Sequence, residues 1–327
     1  MKKFTAVLLS LLLVLSLSTA LSPAASAAKS YKVAIVKQLD HASLDEIAAA
    51  IEEECARIAT RDGVSITCDV FSGQNDQSML QQIATQVVYD NYDVIIPIAT
   101  RAAQIVAVVA EETKLPVVYA AISDPEAAEL TGIDYVTGTS DMLNTEFIID
   151  MMLAQTPDMK TVGLLYSLSE ANSRKPIAEA RAYLEEKGIA YVEATGNTND
   201  EVMAAAGSLV SDKVDAIFTP TDNVIMAAEL AIAPSFAEAG IPHYTGADSF
   251  VRNGAFATCG VNYTELGTRT ADLAYQAVTE GMAELEDYYK MDGGIITVNT
   301  ETAEALGIDT AVFADMGTLV EVETSED

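Results

Sequence analysis

The sequence predicts an α/β protein of two Rossmann-like lobes joined by a multi-strand hinge. Three observations lead there. Short apolar runs alternate with longer segments of helical period, the pattern of βα units around a mostly parallel sheet. The series runs through once and then begins again. About 300 residues follow the N-terminal segment, more than one core usually organises.

The first series places strands at YKVAIV (31–36), SITCDVF (65–71), DVIIPIA (93–99) and LPVVYAAI (115–122), with helices over 43–61, 76–90 and 101–113. A short strand at 135–137 closes it. The second places strands at TVGLLYS (161–167), IAYVEAT (189–195), DAIFTP (215–220) and IPHYTG (241–246), with helices over 173–187, 199–211 and 223–239. YDVIIPIATRAAQIV matches VDAIFTPTDNVIMAA and KLPVVYAAISD matches GIPHYTGADSF in the same order, which reads as an internal duplication. A third part supplies a strand in FATCGVNY, a helix over 264–282 and a strand in GIITVNT. It is expected to recross between lobes. The boundaries that follow are 29–140 plus about 264–290 for lobe 1, and about 141–263 plus 291–327 for lobe 2.

Residues 1–28 carry the parts of a secretory signal: Lys2 and Lys3, an apolar stretch from Ala6 to Leu21, and Ala25-Ser26-Ala27 for cleavage. An exported chain is expected, periplasmic or extracellular, and no other segment is apolar enough to span a bilayer. The formal charge of −31, about −33 without the two signal lysines, opposes nucleic acid and anionic lipid as partners. Cys55, Cys68 and Cys259 make an odd count. A Cys55–Cys68 disulfide and three free thiols both remain open. No metal-ligand spacing is present, and His41 and His243 stand far apart, so neither a metal nor a cofactor is expected.

In open parallel sheets, ligands bind beyond the carboxyl ends of the strands. The loops there carry Asp40, His41, Ser43, Thr100, Arg101, Ser123 and Asp124 in the first lobe. The second lobe offers Ser167, Glu170, Asn172 and Ser173, then Thr219, Thr221, Asp222 and Asn223, then Asp248 and Ser249. Each has a purely structural reading. Ser43 and Glu46 form a capping-box pattern, Asp222 and Asn223 precede a helix, and Asp124-Pro125 is a helix opening. Capping needs one polar residue per loop, however, and several loops supply three or more. Phosphate loops, nucleophile elbows and HExxH pairs are missing, and the run Asp40-His41-Ser43 does not by itself build a triad, so an enzyme is not expected.

LYSLSEANS, PTDN and GADSFVRNGAFATCGVNYTELG, with LDHASLDE, IPIATRAAQ, ISDPEAAEL and VTGTSDMLNTE before them, together resemble the substrate-binding component of bacterial ABC importers. The branch is the one associated with tryptophan and other aromatic amino acids. The resemblance covers nearly all of the chain after residue 28. It implies a type I periplasmic-binding-protein-like fold, a monomer that closes on a small ligand, and a permease and ATPase as partners. Many members end their signal in a lipobox cysteine; LSPAASAAKS contains none.

A buried zwitterion needs donors for its carboxylate and an ionised acceptor for its ammonium. Helix N-termini with Ser43, Thr100 and the backbone near Arg101 are candidates for the first. Asp222 is the choice for the ammonium, with Asn172 and Ser173 completing the shell. Glu170 can also serve the ammonium and Arg101 the carboxylate, and the two ends can be held the other way round. Removal of Asp222 is expected to abolish binding with little loss of fold. With no tryptophan in the chain, stacking falls to Tyr166, Tyr244 or Tyr263. The alternatives are an extracellular sensor, a non-amino-acid ligand, and a hydrolase or isomerase on a related fold.

Overall fold

The computed structural model describes residues 29–325, so the expected signal segment lies outside the described residues. Lobe 1 opens with β1 (Ser30–Lys37), α1 (Ala42–Asp62), β2 (Ser65–Ser72), α2 (Gln77–Tyr89), β3 (Val94–Ile98), α3 (Thr100–Val109), β4 (Val117–Tyr119) and β5 (Val136–Ser140). Lobe 2 follows with α4 (Thr145–Gln155), β6 (Thr161–Tyr166), α5 (Arg174–Lys187), β7 (Ala190–Thr195), α6 (Asn199–Asp212), β8 (Ala216–Thr219), α7 (Asn223–Met226), α8 (Glu229–Glu238), β9 (His243–Thr245), α9 (Asp248–Arg252) and β10 (Ala257–Gly260). The chain returns to lobe 1 with α10 (Tyr263–Thr279) and β11 (Tyr289–Lys290). It ends in lobe 2 with β12 (Ile295–Asn299), α11 (Thr300–Leu306) and β13 (Thr318–Val322).

The two sheets repeat one topology. Sheet 1 is ordered β11-β5-β4-β3-β1-β2, all parallel; sheet 2 is ordered β13-β12-β10-β9-β8-β6-β7. In sheet 2 only the β10–β12 pairing is antiparallel. Reading the first five strands of each series gives the order 2-1-3-4-5 in both, which is the doubly wound arrangement. The central strands are buried on both faces, as the apolar runs VIIPI and AIFT require.

Three segments cross between the sheets: from β5 to α4, from β10 to α10, and from β11 to β12. The hinge is therefore multi-stranded. α10 anchors its crossing by lying along α1 and against β3, β4 and β5. Gly267 permits the approach: a Cβ there would stand 2.7 Å from the Ala50 Cβ and 2.7 Å from the Ile47 carbonyl oxygen.

Several elements differ from the expectation. The helix over 223–239 is two helices, and the break at Ala227–Ala228 turns Glu229 inward, where it is fully buried and bonds the His243 Nδ1 at 3.0 Å. The strand over 115–122 ends at Tyr119, because Ala121 takes a positive φ and bends the chain. α4 lacked a readable polar face: TEFIIDMMLAQ buries Ile148, Ile149, Met151 and Met152. α9, β11, α11 and β13 are short and likewise went unread. Cys55, Cys68 and Cys259 are free thiols. Among the described residues no helix is long and apolar enough to cross a membrane.

Gly267→Ala should force α10 away from α1 and destabilise the chain by about 1–3 kcal/mol, the usual cost of overpacking. Thermal unfolding checks this; an unchanged midpoint would show that the helix pair absorbs the methyl group.

Candidate functional site

The carboxyl ends of β1, β3 and β4 face those of β6, β8 and β9, so the polar loops of both lobes meet. Between them lies a nearly filled cavity of about 20 Å³, room for about one water molecule, so a ligand the size of an amino acid enters only when the lobes part or the wall side chains move. Of the residues expected from sequence, His41, Ser43, Thr100, Ser123, Asn172, Thr221, Asp222 and Asn223 line it. Asp40, Arg101, Asp124, Ser167, Glu170, Ser173 and Asp248 do not. The wall also includes Asp141, Tyr263, Phe250, Met226 and Leu44.

The residues off the cavity wall have other partners. Asp40 is half-exposed at the rim, paired to Lys37 at 2.7 Å and bonded by Ser72. Asp124 pairs with Lys175 at 3.1 Å and caps a turn at Ala127 rather than a helix. Asp248 pairs with Arg252 at 2.6 Å. Ser167 bonds Ser169 and Asn197 within its own lobe.

Local capping also differs from expectation. Ser43 lies inside α1, whose N-cap is His41 without a side-chain bond. Its hydroxyl meets that of Ser249 across the cleft, and Glu46 binds Arg252 and Thr264, so no capping box forms. Ser173 stands at the N-cap of α5 without a side-chain cap bond; the amide of Asn172 donates to the Thr221 carbonyl at 2.6 Å, and Ser173 donates to Asp222 at 2.6 Å.

Asp222 is fully buried, and both its oxygens are engaged by groups of its own lobe. Ser167 N–H and the Ser173 hydroxyl donate to one at 2.7 and 2.6 Å; Val224 and Ile225 N–H donate to the other at 3.0 and 3.1 Å. Burial, and then the charge of Glu170, push its carboxyl up to about 7. It caps α7, the structural reading that its place before that helix offered, and it also holds the SLSEANS loop to the start of α7.

Glu170 is buried and works across the cleft. It accepts from Gln38 Nε2 at 2.8 Å and Asn223 Nδ2 at 2.5 Å, with the Arg101 guanidinium at 3.8 Å. Arg101 also donates to the Ser169 carbonyl at 2.6 Å and to Asn75 at 3.1 Å. Because Asn223 gives its amide to Glu170, its oxygen accepts from His41 Nε2 at 3.1 Å. Burial holds His41 down to about 4, so it is a neutral donor there. The Thr221 hydroxyl reaches that of Ser123 at 3.0 Å. These contacts lock lobe to lobe around the cavity.

Asp141 is the residue that sequence reasoning missed. It follows β5 on the first crossing, is buried, and accepts from the Ser123 hydroxyl at 2.8 Å and the Tyr263 hydroxyl at 3.0 Å. Tyr263 begins α10, so the pair ties two crossings together. Burial pushes the Asp141 carboxyl up and the Tyr263 phenol well up, leaving Tyr263 a donor. Among the described residues no Lys, Arg or His nitrogen lies within salt-bridge distance of Asp141. Of the tyrosines expected near the ligand, Tyr166 instead bonds Glu193, and Tyr244 packs edge-on against Phe256 in the lobe 2 core.

A family model described as ABC transporter substrate binding protein matches residues 32–312. The tyrosine-binding protein of Clostridioides difficile (strain R20291) is 30% identical over 284 residues, covering 85% of this chain and 81% of that protein. The crystal structure of an ABC domain in complex with L-Trp from Streptococcus pneumoniae has a TM-score of 0.80 at 28% identity, covering 89% of this chain and all of that one. The ligand-free, open structure of a substrate-binding protein from Clostridium difficile, also 28% identical, covers 90% of this chain and all of its own, with a TM-score of 0.67. At equal identity, the chain superposes better on the L-Trp complex than on the open, ligand-free structure.

Replacing Asp222 by Ala strips four donors of their acceptor and should destabilise the chain by at least about 3 kcal/mol, measured by urea unfolding. That departs from the expectation of little loss of fold. A carboxyl raised from 3.8 to about 7 in the native state makes its contribution greatest at low pH, and the contribution declines as pH rises through about 7. Asp222→Asn should flatten that slope; an unaltered pH profile would exclude Asp222 as its source.

Proposed function

The chain belongs to the ABC transporter substrate-binding protein family, and from that membership we propose that it is an extracytoplasmic receptor for a hydrophobic, preferably aromatic, amino acid. It closes two lobes on the zwitterion and delivers it to a permease and its ATPase. The observation that carries this reading is Asp141: a buried carboxylate on the cavity wall, bonded by two hydroxyls and, among the described residues, by no cation. A buried anion of this kind is costly, and an ammonium group from the ligand offsets that cost. Asp141 takes the ammonium role in this reading because the oxygens of Asp222 are already occupied.

The ligand carboxylate belongs at the other end of the polar wall. The N-termini of α1 and α3 open onto the cavity with Ser43, Leu44 and Thr100, supplying N–H groups and the positive ends of two helix dipoles. Leu44, Met226, Phe250 and the ring of Tyr263 form the apolar part, suited to an aromatic or large aliphatic side chain. Binding of tyrosine and of L-Trp by relatives agrees with that chemistry. Closure follows from differential affinity, since residues of both lobes meet only when the cleft is shut.

A thermal-shift screen of residues 29–327 against amino acids, sugars and nucleosides tests the ligand class. At 100 times its dissociation constant, the right ligand adds about 2.7 kcal/mol and raises the midpoint by a few degrees. Aromatic amino acids should do so and their N-acetyl derivatives should not; a response to sugars or nucleosides alone sinks the reading. Asp141→Asn should weaken binding by about 2–5 kcal/mol in calorimetry while the fold survives.

The pH dependence has a defined sign. Burial raises the Asp141 carboxyl in the free protein, and a bound ammonium lowers it, so protonation competes with the ligand. Affinity should be full above the raised value and fall as pH drops through it. Asp141→Asn should abolish that dependence.

A further inference from the structure

Two alanines on the cavity wall hold backbone conformations that favour glycine. Ala99 sits at φ 75° and ψ 159°, and Ala121 at φ 57°. Among the described residues the other non-glycine positions with positive φ are Gln74, Asn75, Lys114, Glu129 and Lys213, all of them at exposed or half-exposed turns. Ala99 and Ala121 alone in this group are buried, and both line the cavity. The coincidence of strain, burial and location is what needs an explanation.

The backbone geometry explains why positive φ is needed, but not why the residue is alanine. Ala99 joins β3 to α3 in a single residue: its N–H donates to the Ala120 carbonyl at 3.1 Å, and its own carbonyl accepts the Ala103 N–H at 3.1 Å. Ala121 turns the chain between Ala120, bridged to Ile98, and Ile122, whose N–H donates to Thr139 at 3.2 Å. Glycine would make both bends with less strain. The Cβ is all that alanine adds, and at both positions it belongs to a residue of the ligand cavity.

We propose that the methyl groups of Ala99 and Ala121 are specificity-determining contacts, which limit the cavity to one size of amino-acid side chain at the expense of backbone strain. This rests on the reading of the site as an amino-acid receptor. One methyl group more or less in an apolar pocket changes discrimination by roughly 10- to 200-fold. Two on neighbouring strand ends set the depth of the wall opposite Met226 and Phe250 in lobe 2.

The test compares Ala99→Gly, Ala121→Gly and the double variant with the unaltered chain. Calorimetry with tyrosine, tryptophan, phenylalanine and leucine gives affinities, and thermal unfolding without ligand gives stability. The expected result is an equal or higher midpoint, with affinity for the best natural ligand down about tenfold and the ranking shifted toward larger side chains. Lys213→Gly, at an exposed positive-φ position, should leave affinity and ranking unchanged. Glycine variants that keep both within twofold while the unaltered chain still binds amino acids overturn this proposal alone. Failure of the unaltered chain to bind any amino acid overturns both readings.

Discussion

Three carboxylates buried around one cleft impose the constraint on which the rest of the structure depends. In a chain of formal charge −31, no surplus of cations is at hand to pair them, and a buried charge left without partners is expensive. Each is accommodated differently. Asp222 is satisfied by four donors of its own lobe, and so fixes local fold. Glu170 is satisfied from both lobes, by Asn223 of its own and by Gln38 and the more distant Arg101 of the other, and so favours closure. Among the described residues Asp141 receives two hydroxyls, and in the proposed reading the ligand ammonium supplies the positive charge that it lacks.

The same constraint explains what the sequence could and could not disclose. Both lobes, the order of their βα units and the cleft between strand ends were legible, because apolar runs and helical periods are local. Polar residues after the strands were legible as a group. Their separate roles were not, since whether Asp222 faces a ligand or four backbone and hydroxyl donors depends on how the SLSEANS loop folds against α7. SLSEANS itself serves closure more than contact: Glu170 and the Ser169 carbonyl meet lobe 1, and Asn172 alone of its polar side chains reaches the cavity wall.

Asp141 was missed for a different reason. Asp141 lies outside the strand-to-helix loops of either lobe, where β5 leaves its sheet for the other lobe. VTGTSD reads locally as an ordinary strand end; the β4–β5 pairing sets Asp141 beside Ser123, and the second crossing brings Tyr263 to it. Phe250 and Met226 were missed because they belong to α9 and α7. Such short helices carry too few turns for a face to be read, and an apolar residue in them looks like core.

In the proposed reading, the position of Asp141 also links occupancy to the hinge without a separate relay. Its backbone is one hinge crossing, and the Tyr263 hydroxyl it accepts belongs to a second. A cation drawn to Asp141 therefore strengthens an anion whose hydrogen bonds join two of the three crossings, while the rest of the ligand meets groups from both lobes. Glu170, Arg101 and His41 supply polar contacts between the lobes, which opening would exchange for contacts with water. In the proposed reading the ligand favours the closed state by its differential affinity for that state.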